Sequence, residues 1–237
     1  MALRWLAGTV AGGRVSAAMQ DLNARHPWSH NDHFHSWIMA NLPERRRTAL
    51  DVGCGQGELL ARLAPAFENV VGTDLDDAMR EQATARCAGL PNVTIRDRDL
   101  PQIARAFDLV TMVAVLHHLP VEQALREVRR LLTPGGRFLA VGLAPPRSPR
   151  DHLWDLASVV TNPVIGYVKH PWPNPAGPLP PPFPIAQPTL SFDEVRRHVT
   201  AVMPGAVMQH HLGFRHTIAW TMPPPRRDRH RERLPRG

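Results

Sequence analysis

Two stretches of this sequence pair residue types with a spacing that can do chemistry, and a third is unusually rich in histidine. The first is the turn Gly53-Cys54-Gly55-Gln56-Gly57, entered from Ala49-Leu50-Asp51-Val52 and left through Glu58 to Leu63. A strand that feeds a glycine-rich turn and then a helix is a nucleotide-binding arrangement. The glycines let backbone approach a ligand, and the helix start offers free N–H groups and partial positive charge. Asp74 lies 21 residues after Gly53, at the end of the next apolar run. A carboxylate there can accept two hydrogen bonds from a ribose diol. The turn is not the dinucleotide fingerprint G-x-G-x-x-G. Its third glycine comes one position early, and Glu58 stands where the fingerprint's last glycine belongs. A carboxylate at that place repels a pyrophosphate, whereas Asp51 in the preceding strand can neutralise an ammonium group. The residues favour a nucleoside that carries an amino acid over a dinucleotide.

The second stretch is His117-His118, just after the apolar run Phe107 to Val113. Histidine titrates near neutrality, which suits a general base. The third is His26, His30, His33 and His35, interleaved with Trp28, Phe34 and Trp37. Their spacing matches no metal-binding helix, and no metal is expected. This segment is expected to close over the ligand, with His35 or His33 near it. The competing reading is a row of exposed histidines beside an apolar helix face. Cys54 and Cys87 are far apart and form neither a zinc nor a disulfide framework. Cys54 reads as a small buried residue, not a nucleophile.

The elements that must position these residues alternate in type. Short apolar runs at 49–52, 70–73, 93–95 and 107–113 read as strands. Helices follow from Glu58 to Leu63, from Asp76 or Asp77 to about Ala88, and after Pro120, where Ala124, Leu125, Val128, Leu131 and Leu132 share a face. Pro134-Gly135-Gly136 turns the chain into a strand from Arg137 to Gly142. Ser191 begins a helix to about Met203, with Glu194 completing a capping box. Val207 to Leu212 and Phe214 to Thr221 flank Gly213 as a hairpin. Alternating strands and helices predict a doubly wound α/β fold, its parallel sheet buried on both faces. One domain is expected over 1–222, with an amino-terminal cap at about 1–47. Residues 144–190 hold 13 of the 25 prolines and read as an insertion within that domain. Residues 223–237 read as a flexible tail.

In this order and spacing the segments resemble the class I S-adenosylmethionine-dependent methyltransferases. Ala49 to Gly57 resembles their first motif, and Val71-Gly72-Thr73-Asp74-Leu75-Asp76 their acidic second one. Asn92 to Leu100 resembles the adenine-contacting segment. Phe107-Asp108-Leu109-Val110, Val115 to Leu119, and Leu132-Thr133-Pro134-Gly135-Gly136-Arg137 resemble the fourth strand, the loop after it and the turn before the fifth. The resemblance implies a mostly parallel seven-stranded sheet with an antiparallel carboxy-terminal hairpin strand, and S-adenosylmethionine as cofactor. It implies that Gly53, Gly55 and Gly57, with Cys54 among them, face the methionine part. Asp74 would hold the ribose hydroxyls and Leu75 would lie on the adenine. Asp99 would take the adenine amino group beside the Leu100 N–H, although Asp99 can instead cap the turn before Pro101. Met112 to Ala114, Val113 at their centre, would border the methionine. His117 and His118 would stand near the transferred methyl, as a base or as pocket walls.

The acceptor side is less specific. The nucleic-acid signature Asn/Asp-Pro-Pro-aromatic is replaced after the fourth strand by Met112-Val113-Ala114-Val115. Of the net charge of +7, the segment from Pro223 to Gly237 supplies +4, from six arginines against two acids, so the body is only mildly basic. A small-molecule acceptor is expected, with oxygen or nitrogen favoured over carbon. Trp154, Trp172 and Phe183 in the proline-rich insertion are candidate walls for it. Nucleic acid engaged through the arginine-rich tail and cofactor binding without catalysis are the alternatives. No apolar run is long enough to span a membrane, and the two cysteines fit a cytoplasmic setting.

Overall fold

The computed structural model describes residues 30–145, 188–211 and 215–224, with side chains from Phe34 onward. Seven strands form one sheet in the order β3-β2-β1-β4-β5-β7-β6. They are β1 (Thr48–Val52), β2 (Asn69–Thr73), β3 (Val93–Arg96), β4 (Phe107–Val113), β5 (Leu132–Leu143), β6 (Val207–His211) and β7 (Arg215–Thr221). The pairs joining β3, β2, β1, β4 and β5 are parallel. β7 runs antiparallel to both β5 and β6, as the expected hairpin requires. Every residue of β1 is buried, as are the first six of β4, so the centre of the sheet touches no water. This is why both read as continuous apolar runs.

Five helices cover the two faces: α1 (His30–Ala40), α2 (Glu58–Leu63), α3 (Asp77–Cys87), α4 (Val121–Leu131) and α5 (Phe192–Val202). On one face Phe34 and Ile38 of α1, Leu59, Leu60 and Leu63 of α2, and Ala83 and Cys87 of α3 pack over Ala49, Val70 and Leu109. On the other, Leu125 and Val128 of α4 and Val195 and Val199 of α5 pack over Leu50, Val110 and Phe138.

Local chemistry sets the helix starts. The Asp76 carboxylate accepts from Met79 N at 3.0 Å and caps α3. Ser191 and Glu194 form a reciprocal capping box on α5. β5 is longer than its sequence suggests. α4 ends at Leu131 and the chain enters the strand at once, before Pro134-Gly135-Gly136. A register shift opposite Phe107 and Leu109 absorbs the extra residues. Gly135, at φ 78, and Gly136 hydrogen-bond to Met222. At the same end of the sheet, burial would raise the pKa of Asp108. Bonds from Thr133, Arg45 and the Arg47 and Thr48 amides instead hold it below its usual value. That network ties the segment before β1 to β4, at the end of the sheet opposite the glycine turn.

Several sequence expectations lie outside the described residues: His26, the side chains of His30 and His33, most of the proline-rich insertion with Trp154, Trp172 and Phe183, and the arginines of the tail. Among the described residues no helix is long and apolar enough to cross a membrane, and no group of three His, Cys, Asp or Glu could hold a metal ion.

Candidate functional site

The sheet order places β1 beside both β2 and β4, so the chain winds outward in two directions from β1 and β4. In such sheets the crevice at the carboxyl ends of those strands is where ligands bind. Register fixes what arrives there. Val52 lies opposite both Thr73 and Met112, so Gly53 and Asp74 leave the sheet level with Val113, the last residue of β4. Separate motifs in the sequence thus converge on one crevice.

The glycine turn is anchored by Thr73, whose carbonyl accepts from Gly53 N at 2.7 Å and Cys54 N at 2.9 Å. Gly53, Gly55 and Gly57 all have positive φ, of 67°, 52° and 80°. At Gly53 glycine is required twice over, because a Cβ there would lie 2.3 Å from Val115 Cγ2. At Gly55 a Cβ would meet nothing within 4 Å, so this peptide faces open space, as a cradle for a ligand must. Asp74 braces the turn. Its Oδ2 accepts from Gly55 N at 2.8 Å and its Oδ1 from Asp76 N at 3.0 Å. Each oxygen keeps a lone pair for a ribose hydroxyl. Leu75, next in the chain, is 65% exposed, an apolar side chain with no protein cover and free to lie against a base.

Asp51 is 2% exposed and receives a hydrogen bond from Thr111 Oγ1 at 2.6 Å. Burial pushes its carboxyl up to about 7, and the nearby Asp74 charge adds to the rise against the bond from Thr111. A buried carboxylate beside a second acid can neutralise a cation. Cys54 is 7% exposed. Burial first, then Asp51 and Asp74, push its thiol well up, so it stays protonated and unreactive.

Asp99 precedes the 3-10 turn Leu100–Gln102 but makes no side-chain capping bond. The carbonyls of Leu100 and Ile103 are instead held by Arg130 from α4. The capping alternative for Asp99 is therefore not realised. Arg80, bound to the Asp74 carbonyl and ion-paired with Asp77, lies 3.7 Å from Asp97 and orders the approach from β2 to β3.

At the end of β4, Val113 is followed by Ala114 at φ 58, the one non-glycine residue with positive φ among those described. The backbone stores strain here, and such strain is usually held at functional positions. The chain then forms a 3-10 turn, Leu116–His118. His117 and His118 stack with ring centroids 4.0 Å apart but face different surroundings. His118 is exposed. His117 is half-buried and lines a small recess of about 40 Å³ together with Leu116, Leu119, Leu143, Thr189, Val195 and His216. Burial, helped by His118 and Arg215, pushes His117 down to about 4, so its ring is neutral at pH 7. His35 is 4% exposed within α1, whose Phe34 meets His211 of β6 edge to face at 5.2 Å.

Sequence reasoning missed Thr111, Val115, Arg215 and His216. Thr111 left a signal, a hydroxyl inside an apolar strand. The two basic residues of β7 left none, because their strand neighbours become visible only in the folded sheet.

The sequence matches the family described as "Methyltransferase domain" over residues 50–140. It is 35% identical over 203 residues to an uncharacterised methyltransferase of Mycobacterium tuberculosis, an alignment covering 83% of this chain and 98% of that protein. It is 30% identical over 139 residues to the magnesium-protoporphyrin O-methyltransferase of a Synechocystis strain, covering 56% and 59% of the two chains. Its fold superposes on the crystal structure of the Bacillus YcgJ protein with a TM-score of 0.53 at 22% identity, over 76% of this chain and 70% of that one.

Proposed function

The chain belongs to the class I S-adenosylmethionine-dependent methyltransferases, and on that footing we propose that it methylates oxygen or nitrogen of a small-molecule acceptor held in the recess beside His117. The observation that carries the reading is the pairing of the cofactor crevice with this recess. The first lies at the ends of β1, β2 and β4, and the second begins within four residues of the end of β4.

S-adenosylmethionine supplies a methyl group already activated by the sulfonium to which it is bonded. The residues present fit that group. Asp51 offers a buried negative charge, Asp74 has spare acceptor positions, Gly55 leaves a bare peptide, and Leu75 offers an uncovered apolar face. In this reading Asp74 binds the ribose, Leu75 the adenine, Asp99 and the Leu100 N–H the adenine edge, and Asp51 the methionine ammonium. Gly53, Cys54, Gly55, Gly57 and Val113 shape the wall along the methionine. The remaining work is alignment and exclusion of water. His117 meets the acceptor. As a neutral ring it can accept a proton from a hydroxyl or amine, though a base that titrates near 4 is weak. His118, exposed, is a supporting neighbour.

The small-molecule assignment has support from the name of the Synechocystis relative and from the mildly basic body of the chain. Methyl-labelled cofactor, incubated with the protein and fractionated cell extract, tests it. Label is expected in the small-molecule fraction. Label confined to RNA or DNA would replace this reading with the nucleic-acid alternative, and no transfer to any fraction would leave a non-catalytic binding protein.

A further inference from the structure

Asp74 lies one residue past the last paired position of β2, Thr73, where the chain leaves the sheet. Its amide reaches the Arg96 carbonyl of β3 at 3.4 Å, the long end of a backbone bond, so the ladder holds this residue weakly. Three other contacts set the direction of its carboxylate. Gly55 N and Asp76 N each donate to one carboxylate oxygen, and Arg80 Nη1 donates to the Asp74 carbonyl at 2.9 Å.

Arg80 projects from a helix that is itself fastened to the glycine turn. α3 starts at the Asp76 cap, and the Arg80 amide donates to the Asp76 carbonyl at 3.1 Å. One turn on, Ala83 packs under Gly57, where a Cβ on the glycine would come within 3.1 Å of it. Arg86 donates to the Gln56 carbonyl at 2.8 Å. The guanidinium therefore has a fixed base. It is planar and carries several donors, so Nη2 pairs with Asp77 while Nη1 serves the Asp74 carbonyl and faces Asp97 at 3.7 Å, just past the end of β3. The Arg80 side chain is 19% exposed, whereas those of Asp77 and Asp97 are 86% and 68% exposed. Ion pairs to such exposed acids add little to stability. The more protected of its bonds is the one to the Asp74 carbonyl.

Asp74, Asp76 and Asp77 crowd three carboxylates into four residues of chain. Without a cation among them their repulsion acts on a weakly paired strand end. We propose that Arg80 is a positioning residue for cofactor binding: by holding the Asp74 peptide against α3 it aims the Asp74 carboxylate at the ribose hydroxyls of S-adenosylmethionine. Arg80 acts through Asp74. This rests on the reading of Asp74 as the residue that binds the ribose.

The test is calorimetric titration of the full-length protein with S-adenosylhomocysteine and with its 2′-deoxy analogue. The unaltered protein is expected to prefer the ribose form about tenfold, the difference that one hydrogen bond to a charged group makes. Arg80→Met keeps the aliphatic stem and removes the donors. It should bind S-adenosylhomocysteine about tenfold less tightly and shrink the preference to about threefold or less. Arg80→Lys, which keeps the charge and one donating head, should restore part of the preference. In an Asp74→Ala background, Arg80→Met should change the affinity for either ligand by no more than about twofold. A helix that is merely less stable weakens both ligands alike. An unchanged ratio in Arg80→Met, or an equal loss for both ligands that adds to the loss from Asp74→Ala, therefore overturns the proposal. If Arg80→Met fails to fold, Arg80→Gln, whose shorter amide cannot span the same distance, is read on the same ratio. An unaltered protein that binds both ligands equally would remove Asp74 from the ribose, and one that binds neither would strike the methyltransferase reading itself. Either result overturns the proposal at its premise.

Discussion

Asp51 is the residue whose charge state ties stability to ligand binding. In the folded protein it titrates at about 7, above its ordinary 3.8, so the folded state holds a proton that the unfolded chain has released. The burden on stability is therefore absent at low pH, grows as pH rises from about 4 to 7 and is complete above that. Asp51→Asn should melt at a higher temperature than the unaltered protein at pH ~8, with the difference shrinking towards pH ~4. The same substitution should weaken S-adenosylmethionine binding, because the cation loses its partner. In the unaltered protein the affinity should fall by up to about tenfold per pH unit below 7, and in the variant this dependence should flatten. Calorimetric titration over that range checks both, and an unchanged pH profile in Asp51→Asn would remove Asp51 from the cofactor's ammonium. Asp74 acts by hydrogen bonding. Asp74→Ala should lower cofactor affinity about ten- to hundredfold, and equal affinity would remove it from the ribose.

Among the elements, the glycine turn is the least replaceable. Gly53→Ala must place a Cβ on Val115 and hold an alanine at φ 67. A cost of about 1–3 kcal/mol in stability is expected, with cofactor binding lost. Thermal melting of Gly53→Ala alone and with Val115→Ala separates the two causes. The double variant should recover only the steric part, since φ stays positive. Full recovery would show that the turn is not strained. This turn was legible from sequence because glycine spacing is a backbone requirement written in one stretch of chain. So were the central strands, whose burial on both faces leaves a continuous apolar signature, and the start of α5, where Ser191 and Glu194 are three residues apart. The immediate entry of α4 into β5 was not legible, because Pro134-Gly135-Gly136 signals a turn locally while Met222, far along the chain, pairs with both glycines. The polar end of the recess was hidden for the same reason. Gly142 and His216 meet only through β5–β7 pairing, and His117 joins them at the recess from the turn after β4.

At the scale of the whole molecule, charge and site are separable. The sheet, its two helical layers and both pockets lie within 30–224, whereas over half the net charge lies beyond Met222. Removal of residues 225–237 should leave cofactor affinity and small-molecule methyl transfer within about twofold of the full chain and without steep salt dependence. Loss of transfer on truncation, or a steep fall with salt, would shift the account towards nucleic acid. Function was legible as far as the donor of the methyl group, since the residues that choose the donor are close in sequence and ordered along it. The recess beside His117 is built by residues of distant elements, which no single stretch of sequence displays. The most direct measurement of the central claim is paired calorimetric titration of the full chain with S-adenosylmethionine and with NAD. The early third glycine, Glu58, and the buried Asp51 predict stoichiometric binding of S-adenosylmethionine and none of NAD. Binding of NAD without S-adenosylmethionine would contradict it.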